Sequence, residues 1–189
     1  MKEKIVAQSK NHLKELIANE IALNGNNCDL NHIDVSFVED MSDVFRGSSF
    51  NGNISKWNVS KVKSMYCLFY DSQFNGDISK WDVSKVEDMY GMFNNSLFNG
   101  NISGWDVSNV KDMCFMFYNS QFSGETGNWN ALNLQSIMLI FYNCPAPMPY
   151  WAQIKDFEER QKTVEVYHTH KILNQTIKNN NKNVNTLKI

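Results

Sequence analysis

The chain has 189 residues, of which 42% are hydrophobic and 20% are charged, and its formal net charge is -2. This composition is typical of a single globular domain and argues against a disordered chain. The near-neutral charge argues against bulk binding to nucleic acid, and no apolar run approaches the roughly 18 residues of a membrane-spanning helix, so neither partner is expected.

The first segment, residues 1–29, is predicted to form an N-terminal helical cap. Its helix is expected over residues 2–24 and should end at Gly25, since glycine is common just after a helix. The apolar residues that would cover the first repeat are Leu13, Leu16, Ile17 and Ile21. The segment lacks the apolar block and cleavage site of a secretory signal, so we expect an intracellular protein or one exported by a non-classical route, unless a signal has been removed.

A 24-residue repeat dominates the middle of the chain. The string NISKWNVSKVKSMYCLFYDSQFNG begins at Asn53, and closely similar strings begin at Asp77 and Asn101. Apolar residues recur in fixed columns without insertions, which predicts that successive repeats stack and share one core. The aromatic columns are Trp57, Trp81, Trp105 and Trp129, then Phe45, Phe69, Phe93, Phe117 and Phe141, and then Phe50, Phe74, Phe98 and Phe122.

Each repeat is predicted to contain one short strand and one short helix. The run DISKWDV has the apolar and polar alternation of a strand. Met89 and Phe93 fall on one helical face, and the Ser84 and Glu87 pair matches a capping box. The period also lies in the roughly 20–29 residue range of leucine-rich repeats. We therefore predict an α/β solenoid over residues 30–148, a leucine-rich-repeat-like stack of about five strand–turn–short-helix units with helical caps at both ends.

The repeats are predicted to end at a run of three prolines, which cannot continue the pattern. Residues 149–176 are predicted to form a C-terminal capping helix with an apolar face that includes Trp151. Residues 177–189 are rich in asparagine and are predicted to form a mobile tail.

The repeat motif resembles a known family. FNGDISKWDVSKVEDMYGMF, with its Trp-Asp-Val-Ser, Met-Phe and Phe-Asn-Gly elements in fixed register over about residues 30–145, is similar to the consensus of BspA-like leucine-rich repeat proteins, a bacterial and protist group. The resemblance implies a right-handed leucine-rich-type solenoid that is used for binding and carries no catalytic residues. Many relatives are surface proteins or lipoproteins linked to adhesion, so the resemblance also implies a role at a cell surface.

No motif in the sequence indicates an enzyme. Patterns such as GxSxG, HExxH, GxGxxG and the phosphate-binding loop are missing. The four cysteines, which favour reduced thiols over a disulfide framework or a metal site because they form no CxxC pair, are Cys28, Cys67, Cys114 and Cys144. We therefore predict no catalytic residue, no cofactor and no metal.

An Asp or Asn directly follows each residue of the Trp column. These residues are Asp34, Asn58, Asp82, Asp106 and Asn130. Such side chains commonly accept hydrogen bonds from backbone amides in turns, and this role is favoured over a cation site because two of the five positions are amides.

The positions that vary between the fixed columns are the candidate partner-binding residues. They are Tyr66, Tyr90, Tyr70, Tyr118, Lys56 and Lys80. Stacked repeats would collect them into a patch with Tyr and Lys character, and Tyr is common at binding hot spots. The Tyr column fits equally well a second role, which is to fill grooves between repeats.

The predicted function is a non-enzymatic protein-binding or interaction module with a protein partner. The alternatives are an adhesion protein at a cell surface and, because no signal is visible, a translocated effector or immunity-type inhibitor that acts inside a cell. Neither the partner's identity nor the oligomeric state follows from these motifs.

Overall fold

Regular secondary structure lies mainly at the two ends of the chain in the computed structural model, which describes residues 3–186 and side chains as far as residue 179. The elements are β1 (Ile5–Val6), α1 (Lys10–Asn24), β2 (Ile33–Asp34), a 3-10 turn (Tyr150–Gln153) and α2 (Phe157–Thr186). Between β2 and the 3-10 turn the backbone forms turns and bends joined by isolated bridges.

The repeats form a stack of five coils, each 24 residues long. We number them coil 1 (29–52), coil 2 (53–76), coil 3 (77–100), coil 4 (101–124) and coil 5 (125–148). Single-residue parallel bridges join coils 1 to 5 through Asp40, Ser64, Asp88, Asp112 and Ser136. Successive repeats therefore lie beside one another in the register of the sequence repeat.

A regular set of hydrogen bonds, here called the coil ladder, connects each coil to the next. Four backbone N–H groups of one coil donate to four carbonyls of the following coil, at N···O distances of 2.7–3.0 Å at all four interfaces. From coil 3 to coil 4 the donor–acceptor pairs are Met89 to Asp112, Gly91 to Cys114, Phe93 to Met116, and Asn95 to Tyr118. The residues between these donors make turn bonds within their own coil, so both local and long-range bonds hold the backbone.

The predicted solenoid of strand–turn–short-helix units is wrong, because the coils contain no α-helix and β2 is the one named strand in them among the described residues. The segments predicted as helices contain a residue with positive φ, such as Cys67 at 49° and Phe115 at 57°, whereas an α-helix needs φ near -63°. Ser84, the expected helix cap, instead hydrogen bonds to the Asp82 carboxylate at 2.6 Å in a turn. The apolar spacing that suggested a helix is produced by consecutive turns.

The prediction that the aromatic columns form the core is confirmed. Trp57, Trp81 and Trp105 are each 4% exposed, and the Phe columns are almost completely buried. Like rings stack on like rings: Phe69 and Phe93 have centroids 5.6 Å apart, and Trp57 and Trp81 have centroids 6.4 Å apart. Each indole also donates to a carbonyl of the preceding coil, as Trp81 does to Ile54 at 3.2 Å, so the buried N–H is satisfied.

The N-terminal elements lie against coil 1. The Ser9 hydroxyl caps α1 by accepting from the His12 amide, and Gly25, with φ of 80°, ends the helix as expected. Leu13 and Ile17 of α1 are buried in the common core, and β1 pairs in parallel with β2. The predicted helix is shorter than expected at its start, since residues 5–6 form a strand.

The C-terminal elements lie against coil 5 and differ from the prediction. The 3-10 turn comes first and α2 begins at Phe157, not near residue 149. The helix then continues through 177–186, which the sequence analysis assigned to a mobile tail; residues 187–189 of that segment lie outside the described residues. Trp151 extends the Trp column by stacking on Trp129 at 6.2 Å.

Candidate binding surface

Five aromatic rings form a continuous row across coils 2 to 5, which we call the aromatic row. Its members are Tyr66, Tyr90, Phe115, Tyr118 and Tyr142. Tyr66 stacks on Tyr90 with centroids 5.0 Å apart, and Tyr118 stacks on Tyr142 at the same distance. Phe115 joins the two pairs through contacts of 5.6 and 5.7 Å.

The aromatic row is half-buried and is held by a rigid backbone. Its end members are the most exposed, with Tyr66 at 37% and Tyr142 at 54%, and the inner rings are partly covered. Hydrogen bonds hold the Tyr66 backbone on both sides. Its amide donates to the Ser64 hydroxyl, and its carbonyl accepts a ladder bond from the Asp43 amide. Rings fixed in this way lose little conformational entropy when a partner covers them.

The phenols of Tyr66 and Tyr90 are neutral at physiological pH, because their pKa values are raised. The neighbouring Cys67 thiol and partial burial raise the pKa of Tyr66, and burial raises the pKa of Tyr90. The row therefore offers apolar ring faces together with hydroxyl groups that can donate or accept hydrogen bonds. Aromatic groups with a polar end are the residues that most often anchor protein interfaces.

Tyr70, a predicted site residue, lies under a cation and outside the aromatic row. The guanidinium of Arg46 is 4.2 Å from the centre of the Tyr70 ring, a cation–π geometry. Arg46 also pairs with Asp43 at 3.1 Å. Among the described residues, no ring contact joins Tyr70 to the row, although both belong to the same edge of the coil.

Lys56 and Lys80, the predicted basic members of the patch, are exposed next to the Trp column. The Lys56 amide donates to the Asn31 side chain at 2.8 Å. Within residues 3–186, no hydrogen bond, ion pair or ring contact brings either lysine to a tyrosine of the predicted patch. The structure therefore shows one aromatic row and, apart from it, two exposed lysines.

Sequence reasoning gave too little weight to Phe115 and Tyr142, which complete the row. Tyr142 lies in the column of Tyr70 and Tyr118, whereas the column of Phe115 contains no tyrosine. Phe115 is aligned with Cys67 and Gly91, which are small, so its ring can reach from one tyrosine pair to the other. The sequence signal for this role was an aromatic residue at a variable position. The contacts of Phe115 also depend on its positive φ of 57°, which the sequence does not indicate for Phe.

The carboxylates and cysteines have structural partners. The expectation that the Asp/Asn column satisfies turns is confirmed, since the side chain at Asp34, Asn58, Asp82 and Asp106 accepts from the amide two residues later at 3.0–3.2 Å. Among the described residues, Cys28, Cys67, Cys114 and Cys144 are outside any disulfide. No group of three His, Cys, Asp or Glu residues in the part of the chain that the structure describes is placed to hold a metal ion. Nor is any helix within residues 3–186 both long and apolar enough to cross a bilayer.

Comparison with known proteins places the chain in a family. A family model described as "Mycoplasma protein of unknown function, DUF285" matches residues 11–119 and again residues 72–187. Searches of curated proteins and of solved structures find no match. The two family matches overlap and together cover nearly the whole chain, as expected when a model built on such repeats fits a longer array. The match does not test the BspA-like resemblance of the repeat motif specifically, but it shows the family itself: the chain belongs to the DUF285 family.

Proposed function

We propose that the protein is a non-enzymatic binding module and that it binds a protein partner through the aromatic row. The observation that carries the proposal is the unbroken contact of five rings along one edge of the stack, with exposed tyrosines at both ends. A core role alone would not require partial exposure, because the Trp and Phe columns already fill the interior.

The surroundings of the row support recognition of a polar partner. Lys63 pairs with Glu39 at 2.8 Å and Lys111 pairs with Glu87 at 2.6 Å, both across neighbouring coils and both exposed. Exposed ion pairs contribute little stability, yet they give a surface alternating charge that can select a partner. The rings supply the contact area and the charges supply specificity.

The test compares capture of partners by three forms of the full chain. The first is wild type, the second carries Tyr66→Ser and Tyr142→Ser, and the third carries Leu97→Ser. Leu97 is 51% exposed and is not a member of the row, so its substitution is a control for the loss of exposed apolar surface. We expect a protein that is captured by wild type and Leu97→Ser but lost with the double variant, and a tenfold or greater loss of affinity when that protein is purified. Identical capture by all three forms would contradict the assignment of the row.

A narrower form of the proposal is adhesion at a cell surface, supported by the resemblance of the repeat motif to BspA-like proteins. It requires the native protein to be reachable from outside the cell. Protease treatment of intact cells, followed by detection of the protein, tests this form: digestion is expected, and full protection until lysis would remove adhesion while leaving protein binding in place.

A further inference from the structure

Coil 5 ends the coil ladder with four unused donors. Its ladder positions are Ile137, Leu139, Phe141 and Asn143, which are equivalent to the donors Met113, Phe115, Phe117 and Asn119 of coil 4. Those four donors of coil 4 all have an acceptor in coil 5, at 2.9–3.0 Å. None of the four coil 5 amides has an acceptor among the described residues. We call this row of amides the open ladder end.

The other half of coil 5 is covered, so the open ladder end is a local feature. Arg160 of α2 donates from Nη2 to the Leu134 carbonyl at 2.6 Å and to the Gln135 carbonyl at 3.2 Å. The carbonyls equivalent to that of Gln135 in coils 1 to 4 accept from the next coil. Arg160 and Trp151 therefore take the place of a sixth coil on one side, and nothing within residues 3–186 does so at the open ladder end.

A groove of about 710 Å³ lies along the open ladder end. Apolar side chains line most of it, and several are well exposed: Met138 at 58%, Tyr142 at 54% and Met148 at 51%. Lys155 is its single charged lining residue among those described, and no carboxylate lines it. The groove thus combines backbone donors, an apolar floor and one cation.

We propose that the open ladder end binds a peptide segment of a partner protein, which adopts the turn conformation of the coils and continues the ladder as a sixth layer. The segment would present the carbonyls of alternate residues to the four amides, place an apolar side chain in the groove and bring an acidic group to Lys155. Addition of a peptide segment to an unpaired backbone edge is a general mode of peptide recognition, known best for strands. Here the segment would have positive φ at the positions equivalent to Gly91 and Asn95. The four interfaces inside the molecule show that this register is satisfied by ordinary peptide backbone.

A second copy of the chain fits the open ladder end less well. Two such ends cannot pair with each other, because both present donors. The carbonyl face of coil 1 in another copy has α1 against it, with Lys10 bound to Asp40 at 2.6 Å and Leu13 buried. A free peptide segment has neither obstacle.

The experiment uses the full chain and a synthetic peptide of residues 85–96, KVEDMYGMFNNS. In the protein, the carbonyls of Asp88, Tyr90, Met92 and Asn94 in this stretch accept the ladder bonds of coil 2. Amide hydrogen exchange followed by NMR reports each donor separately. In the free protein we expect the four amides of the open ladder end to exchange at least a hundredfold faster than their coil 4 equivalents. With peptide at saturation, we expect their exchange to slow at least tenfold.

Matched variants distinguish specific binding at the open ladder end from nonspecific hydrophobic binding of the peptide. Met138→Asp should weaken peptide binding at least tenfold, since it places a carboxylate in the groove, whereas Leu97→Asp should leave it unchanged at a similarly exposed position. A peptide of the same composition in scrambled order should bind at least tenfold more weakly. Equal binding of both peptides, or of both variants, would overturn the proposal.

Two further results would also overturn it. The first is peptide binding that does not slow exchange at the four amides. The second is exchange that is already slow without peptide and becomes slower as the protein concentration rises, which would mean that a second copy of the chain covers the open ladder end. The site can be distinguished from the aromatic-row proposal because Tyr66→Ser, on coil 2, should leave peptide binding at coil 5 intact. Tyr142 belongs to both the aromatic row and the groove, so the double variant alters both sites. The single variant Tyr66→Ser tests the row alone, and the exchange of the four amides tests the open ladder end alone, so either proposal can fail without the other.

Discussion

At the scale of single residues, the tight approach of one coil to the next makes small side chains and charge placement decisive. The glycine that ends each of coils 1 to 4 shows this most clearly. A Cβ on Gly76 would lie 2.7 Å from the Phe74 ring and 3.1 Å from the Gly52 carbonyl, closer than ordinary contacts. A Cβ on Gly104, by contrast, would have no neighbouring atom within 4 Å among the described residues.

The first prediction compares the same substitution at these two glycines. Gly76→Ala should lower the free energy of unfolding by about 1–3 kcal/mol, because the buried Phe74 ring must shift within a packed core. Gly104→Ala should be neutral or stabilising by up to about 1 kcal/mol, since alanine restricts the unfolded chain and meets no neighbour. Urea denaturation of both variants measures the difference, and equal effects would show that the coils are less closely packed than described.

The second prediction concerns the carboxylate of Asp88, a residue whose backbone forms bridges to two neighbouring coils. Burial, and then the charges of Asp112 and Asp40, raise the pKa of Asp88, while its bond from the Tyr90 amide opposes the shift. A carboxyl with a raised pKa in the folded state binds more protons there than in the unfolded state. Its contribution to stability therefore falls as pH rises through the interval between the unfolded and folded pKa values.

Asp88→Asn should therefore stabilise the protein at pH 7, and the gain should disappear once the pH is below the ordinary carboxyl range. Asp82→Asn is the matched control with the opposite sign. The Ser84 hydroxyl and amide lower the pKa of Asp82, so its stabilisation is present at pH 7 and is lost as pH falls through the folded pKa. Urea denaturation at pH 7 and pH 3 measures both, and a destabilising Asp88→Asn at pH 7 would contradict the argument.

At the scale of elements, the two ends of the stack are covered by different means. α1 covers coil 1 with apolar side chains, whereas α2 covers coil 5 with a fully buried guanidinium. Arg160 donates to the carbonyls of Leu134, Gln135 and Ile154, and burial lowers its pKa. After Arg160, Val164 of α2 is buried, and Lys171 donates to Asn128 of coil 5 at 3.0 Å.

The third prediction removes the guanidinium. Arg160→Met replaces the guanidinium with a shorter, unbranched apolar side chain and leaves buried carbonyls without donors, so it should lower the free energy of unfolding by about 1.5–3 kcal/mol. Lys162→Met, at an exposed position two residues later, should change it by less than about 0.5 kcal/mol. Hydrogen exchange should also show faster opening of coil 5 in the first variant. A midpoint of urea unfolding equal to wild type would mean that the guanidinium does not hold α2 on the stack.

At the scale of the whole molecule, each coil has two faces that other parts of the chain must cover. A repeat stack exposes its core at both ends unless something different in sequence lies there. Removal of residues 1–24 would uncover apolar residues of coil 1 such as Met41 and Phe45, which are at most 1% exposed in the intact chain. The prediction at this scale is that the shortened chain self-associates.

Light scattering coupled to size-exclusion chromatography tests this fourth prediction. The chain lacking residues 1–24 should show a larger, concentration-dependent mass than the full chain, because exposed aromatic surface drives association. A chain ending at residue 175 is the control, since it keeps Trp151 and Arg160 and should retain the mass behaviour of the full chain. Equal behaviour of all three chains would show that α1 is dispensable as a cover.

The repeat and the core could be read from the sequence because both depend on residue identity at a fixed spacing. The content of each repeat could not, since apolar residues at i, i+3 and i+4 suit a helix and also suit consecutive turns. One signal was available: the column of Gly47, Asp71, Asn95, Asn119 and Asn143 contains the residue types that best tolerate positive φ, and all five adopt it. When Gly, Asn and Asp alone occupy one position of every repeat, that position favours a turn with positive φ over a continuing helix.

The sequence by itself determined the period, the buried aromatic columns and the end of α1 at Gly25, because each follows from local chemistry repeated along the chain. Only the tertiary structure decided which carbonyls accept from the amides of Met89, Gly91 and Phe93. In a helix each amide would donate to the carbonyl four residues earlier, whereas in the stack it donates to the carbonyl 23 residues later. The same holds for Arg160 over coil 5 and for the continuous aromatic row. Hydrogen-bond partners and ring contacts between distant segments exist only once the coils lie side by side, and so they are properties of the packing.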